Sequence, residues 1–175
     1  MNLPAAAPFA EKIAAVAYRT GPYQLPDGAT LDRYFDPYRL AGDPELLLET
    51  AAALADLLPT GTEAVAGPAL AGVPLVTAMS LQTGLPAAFL RPAPKAYGTW
   101  QQIEGTDLRG RRTVLVDDTA RSGASLLRSA RLLRMGGALV GTAVCVLDRD
   151  AGAAALLAGH HLVLRSLVRD PGDAR

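Results

Sequence analysis

Cysteine is almost missing from this chain of 175 residues. Its single copy, Cys145, rules out an internal disulfide, a thiolate metal cluster and a CxxC redox pair. Cys145 lies in the apolar run Ala-Val-Cys-Val-Leu, where a thiol reads as a small buried hydrophobe. A surplus of charge is missing too. Lys+Arg and Asp+Glu each number 17, so no global basic field favours nucleic acid as a partner. Long hydrophobic runs are absent: the longest, residues 136–147, is too short to span a bilayer, and no membrane partner is expected. The N-terminus has no basic stretch followed by a continuous apolar core, because Glu11 and Lys12 interrupt it, so a cytoplasmic protein is expected. Histidine is confined to His160 and His161, which have no carboxylate or cysteine near them in sequence, and no metal site built from protein side chains is indicated. There is no internal repeat and no low-complexity tract beyond a general alanine bias.

What the chain does have is a globular composition, half apolar and 19% charged, with enough length for one domain over residues 1–175 and a proper core. Helical spacing covers residues 5–19, with Ile13, Val16 and Ala17 on one face. Gly21, Pro22, Pro26, Asp27 and Gly28 predict turns, and Tyr34-Phe35-Asp36 an extended segment. Asp43-Pro44-Glu45 predicts a helix start, an N-cap followed by proline at the first position and an acid in the first turn, running to about Leu58. From there strands alternate with helices: strands at 63–66, 87–90, 113–116, 138–147 and 161–167, helices at 73–83, 125–135 and 151–158. That alternation predicts an α/β fold, a central parallel sheet flanked by helices, with ligands at the carboxyl ends of the strands. Residues 91–112, rich in Pro, Gly, Gln and charge, show no helical period and predict a mobile lid.

Residues 114–125, Val-Leu-Val-Asp-Asp-Thr-Ala-Arg-Ser-Gly-Ala-Ser, carry the most chemistry. A β-branched run ends in the adjacent carboxylates Asp117 and Asp118, then a small polar turn, then a helix. Loop amides and hydroxyls in front of a helix N-terminus can cradle a phosphate dianion. The carboxylates repel phosphate and suit sugar hydroxyls, or positive charge forming on a sugar. The plainer alternative is a tight strand-to-helix turn with acids at a strand end, as many α/β proteins have.

The segment VLVDDTARSGAS closely resembles the 5-phosphoribosyl 1-diphosphate (PRPP) motif of type I phosphoribosyltransferases. The resemblance implies that Asp117 and Asp118 meet the ribose, while Thr119, Ala120, Arg121, Ser122, Gly123, Ala124 and Ser125 surround the 5′-phosphate. Lys95-Ala96-Tyr97-Gly98-Thr99, followed by Ile103-Glu104-Gly105, resembles the mobile loop of orotate phosphoribosyltransferases, and Arg91 matches the arginine before it. In that family the loop, here about 91–110, closes over pyrophosphate in the neighbouring subunit's site, which implies a homodimer with Arg91, Lys95 and Tyr97 as PRPP contacts and Lys95 as a catalytic cation. Gly67 to Pro74 resembles the turn that lies against pyrophosphate, with packing as its plainer reading. Leu147-Asp148-Arg149-Asp150 resembles the Asp-Arg segment whose arginine pairs with the orotate carboxylate, and Tyr34 and Phe35 match the aromatic segment near the orotate ring.

The matches run in family order across roughly residues 20–168 and imply a type I phosphoribosyltransferase fold with a small N-terminal hood at about 20–40. The implied substrates are PRPP and orotate, with Mg²⁺ arriving on PRPP and keeping several waters. Pro26, Pro92 and Ala71 stand where relatives often carry a cation. A transferase for a purine or another base, or a nucleotide-sensing regulator of the same fold, are the alternatives.

Overall fold

A computed structural model describes residues 7–24, 28, 30–95 and 101–170. Helix α1 (Ala7–Ala17) leads into an antiparallel pair, β1 (Tyr18–Gln24) and β2 (Thr30–Phe35), and then the short helix α2 (Pro37–Ala41). The predicted turn at Gly21-Pro22 is instead part of β1. The pairing register shifts there, between Thr20 and Tyr23, and a two-stranded ribbon tolerates proline at such an irregularity because no ladder amide is lost. α2 had no periodic signal; it begins where Asp36 Oδ1 accepts from the Tyr38 amide at 3.0 Å, with Pro37 at the first position.

Helix α3 (Pro44–Ala55) starts as expected: Asp43 Oδ1 accepts from the Leu46 amide at 3.0 Å. It ends three residues short of the predicted Leu58. The rest of the chain is β3 (Ala64–Pro68), α4 (Gly72–Thr83), β4 (Ala87–Leu90), β5 (Ile103–Gly105), β6 (Arg112–Ala120), α5 (Ala124–Met135), β7 (Leu139–Asp148), α6 (Ala153–Ala158) and β8 (Val163–Arg169). The strands form one six-stranded sheet in the order β5-β4-β3-β6-β7-β8. Five strands are parallel, and β5 at the edge is antiparallel to β4.

Two buried layers sandwich the sheet, which is why the strands read as nearly continuous apolar runs. Val65, Val114, Val116, Val144 and Val146 face one layer, with Leu46, Leu54, Val76 and Met79 from α3 and α4. Ala64, Ala66, Leu115, Ala143 and Cys145 face the other, with Leu126, Ala130, Leu133 and Leu157 from α5 and α6. α5 shows the pattern of a one-sided surface helix: Leu126, Leu127, Ala130 and Leu133 are buried while Arg128 and Arg131 are exposed.

Inside the segment 91–112, expected as a mobile lid, the chain forms the short strand β5 at 103–105, and β6 begins at Arg112. Phe89 pairs with Glu104 and Leu90 with Ile103; beyond them the Arg91 amide donates to the Gln102 carbonyl at 2.9 Å and the Lys95 amide to the Gln101 carbonyl at 3.2 Å. A three-residue strand is too short to show a period, so composition alone suggested a loop. Residues 96–100, with Tyr97, lie outside the described residues.

Candidate active site

The strand order places the site. Chain progression moves from β3 outward to β4 on one side and from β6 through β7 to β8 on the other, so the order reverses between β3 and β6. Open α/β sheets bind ligands in the crevice at such a reversal, beyond the carboxyl ends of the strands. β3 ends in the turn before α4, and β6 ends in the acidic pair and the turn before α5. The two segments singled out in the sequence therefore flank one crevice.

The acids do not follow the strand, as expected from sequence; they are in it. β6 continues to Ala120, with Asp117 beside Cys145, Thr119 beside Leu147 and Ala120 beside Asp148 of β7. A central strand can carry carboxylates this way because the ladder bonds satisfy the backbone and leave only side chains to accommodate. Asp117 is 7% exposed, and its Oδ1 accepts the Asp118 amide at 3.0 Å. Burial, with the charge of Asp118 next, holds the Asp117 carboxyl well above the usual carboxylate range. Asp118 is half-buried and its Oδ2 accepts the Thr119 hydroxyl at 3.2 Å.

Behind the acids the chain turns through Arg121 and Ser122 into Gly123, whose φ of +81° is left-handed. A Cβ on Gly123 would meet the Ala153 backbone at 3.1–3.2 Å, so glycine serves both the turn and its seat against α6. α5 has no side-chain cap at this end; the Ser122 hydroxyl accepts the Ala124 amide at 3.4 Å, and Ser125 lies exposed in the first turn. A helix start of this kind presents amides and partial positive charge to an anion.

At the end of β7 the Arg149 amide donates to the Ala120 carbonyl at 2.8 Å, tying Arg149 to the end of the acidic strand. Asp148 organises this turn: it is buried, and its Oδ1 accepts the Asp150 amide at 2.9 Å. Tyr34 of the hood lies near enough for Asp118 to add, after burial and Asp36, to the upward displacement of its phenol. Tyr34 also packs on Tyr23, with ring centroids 5.3 Å apart. Phe35, the next residue on the strand, is 4% exposed and packs edge-on against Tyr18 in the core. Side chains alternate along a strand, so Tyr34 is the more accessible of the two aromatics.

On the other side of the crevice, Gly67 and Gly72 serve close packing: a Cβ on Gly67 would come within 2.7 Å of Val76 and 2.8 Å of the Gly72 carbonyl oxygen. Arg91 shares a hollow of about 570 Å³ with Pro68, Ala69, Gln102 and Ser125. Lys95 is held on the β4–β5 arm by Glu104, Nζ to Oε1 at 2.5 Å, an ionic contact since that buried oxygen takes no hydrogen bond of good geometry. Nothing among the described residues joins Lys95 to Asp117 or Asp118. Size does not mark the site: a hollow of similar volume, about 550 Å³, lies under the amino ends of the strands, by Thr62, Arg112 and Thr142, far from this chemistry.

Sequence reasoning missed Tyr18 and Asp170, which reach the site from opposite ends of the chain. Tyr18 donates its hydroxyl to Asp170 Oδ2 at 2.5 Å, and the same oxygen stands 3.6 Å from Arg149 Nη1. No local pattern announces a contact across 152 residues. Among the described residues no group of three or more His, Cys, Asp or Glu side chains gathers where it could hold a metal, and no helix is long and apolar enough to cross a membrane.

Comparison with known proteins agrees with this geometry. The model of the phosphoribosyl transferase domain matches residues 44–160, from α3 to just past α6. An orotate phosphoribosyltransferase of Nocardioides sp. is 39% identical over 162 residues, 93% of this chain and 90% of that protein. One from Halobacterium salinarum is 40% identical over 155 residues, 89% of this chain and 88% of that protein. The crystal structure of orotate phosphoribosyltransferase from Aeropyrum pernix superposes with a TM-score of 0.77 at 33% identity, over 92% of this chain and 93% of that one. With an acidic pair inside β6, a phosphate-type turn before α5 and likeness along nearly its whole length, the chain belongs to the orotate phosphoribosyltransferase family of type I phosphoribosyltransferases.

Proposed function

We propose that this chain transfers the 5-phosphoribosyl group of PRPP to orotate, giving orotidine 5′-monophosphate and pyrophosphate, a step of pyrimidine biosynthesis. The observation that carries the reading is the backbone tie between Arg149 and Ala120, which sets Arg149 next to the strand bearing Asp117 and Asp118 and the turn leading to α5. A phosphosugar needs the last three, and a carboxylated base needs the first.

The reaction moves charge in two directions: the sugar carbon becomes positive as its bond to pyrophosphate lengthens, and the pyrophosphate gathers negative charge. Asp117 and Asp118 fix the ribose hydroxyls and oppose the positive charge. Positive charge forming beside the buried Asp117 favours its ionised form, so its stabilisation grows as the reaction proceeds. Thr119, Ala120, Arg121, Ser122, Gly123, Ala124 and Ser125 enclose the 5′-phosphate. Arg149 pairs with the orotate carboxylate through its planar fork of donors. Tyr34 lies against the base, and Phe35 supports the hood from the core side.

Arg91, Lys95 and Tyr97 serve the pyrophosphate from the arm at 91–110, which in a homodimer reaches the neighbouring site. Mg²⁺ fits this donor set as a companion of PRPP. The described residues build no cage of three ligands, but Asp118 offers a half-buried carboxylate, and Mg²⁺ on phosphate substrates keeps several waters. When bound it supplies charge neutralisation to the departing pyrophosphate. We place the enzyme in the cytoplasm.

Orotate consumption measured with PRPP and Mg²⁺ tests the reading, wild type against Lys95→Ala. We expect turnover by the wild type and a loss of about 10²-fold in kcat for the variant, the effect of one group that opposes developing charge. No orotate turnover by the wild type would sink the proposal, and turnover of a purine instead would reassign the base.

A further inference from the structure

Arg149 is unusually well held for an arginine at the end of a strand. Its backbone is tied to Ala120, and its side chain is only 12% exposed. Its guanidinium is then bracketed by the two residues that local sequence did not mark. Asp170 Oδ2 stands 3.6 Å from Nη1, and the Tyr18 ring centroid lies 5.6 Å from Cζ.

The bracket is itself fixed. The Asp170 amide donates to the Asp148 carbonyl at 2.9 Å, so the end of β8 is tied to the turn that carries Arg149. The Tyr18 hydroxyl donates to the oxygen of Asp170 that faces Arg149. Burial, with the hydrogen bond to Asp170 next, pushes the Tyr18 phenol up to about 12, so it stays a donor at any physiological pH. Arg33 of the hood lies over the same ring, its Cζ 4.3 Å from the centroid. Two guanidiniums thus share one aromatic ring, and Asp170 supplies the negative charge that lets the less exposed one stay in place.

We propose that Tyr18 and Asp170 are positioning residues for Arg149, holding its guanidinium at the mouth of the base pocket so that it meets the carboxylate of the incoming base. The claim rests on the proposed role of Arg149 toward orotate. A guanidinium has five donors, and one ionic contact through Nη1 leaves the remaining donors for a second carboxylate. A base reaching a pre-aligned cation spends none of its binding free energy on ordering it. Tyr18 belongs to the hood and Asp170 follows the last strand, so the pair also couples hood placement to base recognition. A strut that only fastened the hood to the sheet would leave a different signature, since it would affect every ligand of the crevice together.

The test uses Asp170→Asn and Tyr18→Phe in the full-length enzyme, with KM for orotate, KM for PRPP and thermal midpoint measured for each. Asp170→Asn is expected to raise KM for orotate about ten-fold, the effect of a misplaced contact group. Tyr18→Phe, which removes one hydroxyl, should raise it about three-fold. KM for PRPP should stay within about two-fold, and Asp170→Glu should recover part of the loss. An unchanged orotate KM overturns the proposal. A lowered one does too, since it would mean that Asp170 competes with the base for Arg149. A parallel rise in both KM values with a lower thermal midpoint would reduce the pair to a strut. If Asp170→Asn does not fold, Tyr18→Phe decides by the same criteria. A wild type that neither turns over orotate nor binds it by calorimetry overturns the function and the pair together, whereas an active wild type with unmoved variants overturns the pair alone.

Discussion

Replacing Gly123 by alanine separates two reasons for a glycine in the turn before α5, proposed to hold the 5′-phosphate. The first is backbone conformation: φ is +81°, where an L side chain costs about 1 kcal/mol relative to glycine. The second is space. The new Cβ would stand 3.1 Å from Ala153 Cα, 3.2 Å from its carbonyl oxygen and 3.3 Å from its Cβ. These atoms belong to the first residue of α6 and cannot swing aside like the end of a long side chain, so overpacking adds about 1–3 kcal/mol. The sum is about 2–4 kcal/mol, or roughly 5–15 °C in Tm for a chain of this size. Gly84 after α4 provides the control. Its φ is +72°, yet nothing lies within 4 Å of the position a Cβ would take. Gly84→Ala should therefore cost about 1 kcal/mol, roughly 2–4 °C. Calorimetric melts of both variants check the difference, and thermal shifts with PRPP check the site, since only Gly123→Ala should lose them. Equal losses of stability would refute the steric half of the reasoning. Retained PRPP stabilisation in Gly123→Ala would refute the placement of the phosphate turn.

Two further outcomes follow from burial. Asp117 holds its proton well above the ordinary carboxylate range, so its contribution to stability is complete below about pH 4, the unfolded value, and is lost as pH rises through the higher native value. Asparagine does not titrate, so Asp117→Asn should melt progressively above the wild type as pH rises from about 4 while losing turnover, and a melting difference that is flat or shrinks with rising pH would contradict this. Burial, followed by the charges of Asp148 and Asp117, also pushes the Cys145 thiol up, so a thiol reagent should modify the chain only after denaturation; rapid labelling of the native protein would contradict it.

Much of the fold was legible because its signals are local. Asp43-Pro44-Glu45 announced α3, and the β-branched runs at 113–116 and 138–147 found the central strands. The misses have physical reasons as well. β5 has three residues, too few for a period, and takes its order from pairing with β4. Gly21 and Pro22 are turn residues by propensity, and they enter β1 only as the irregularity between Thr20 and Tyr23, with Gly21 at a φ of +139°. The acids looked terminal because carboxylates are poor strand formers, while the ladder to β7 carries β6 past them to Ala120.

The same division runs through the site. By itself the sequence determined which chemistry is present: an acidic pair, a small polar turn before a helix, and an arginine after the next strand, since each depends on neighbours along the chain. Tertiary structure alone decided which of these groups meet, and in what state. It tied Arg149 to Ala120, set Lys95 against Glu104, sank Asp117 beside Asp118, and joined Tyr18 to Asp170 across 152 residues. Those outcomes depend on strand order, burial and the shared field of distant charges, and none of these quantities has a value until the sheet is assembled.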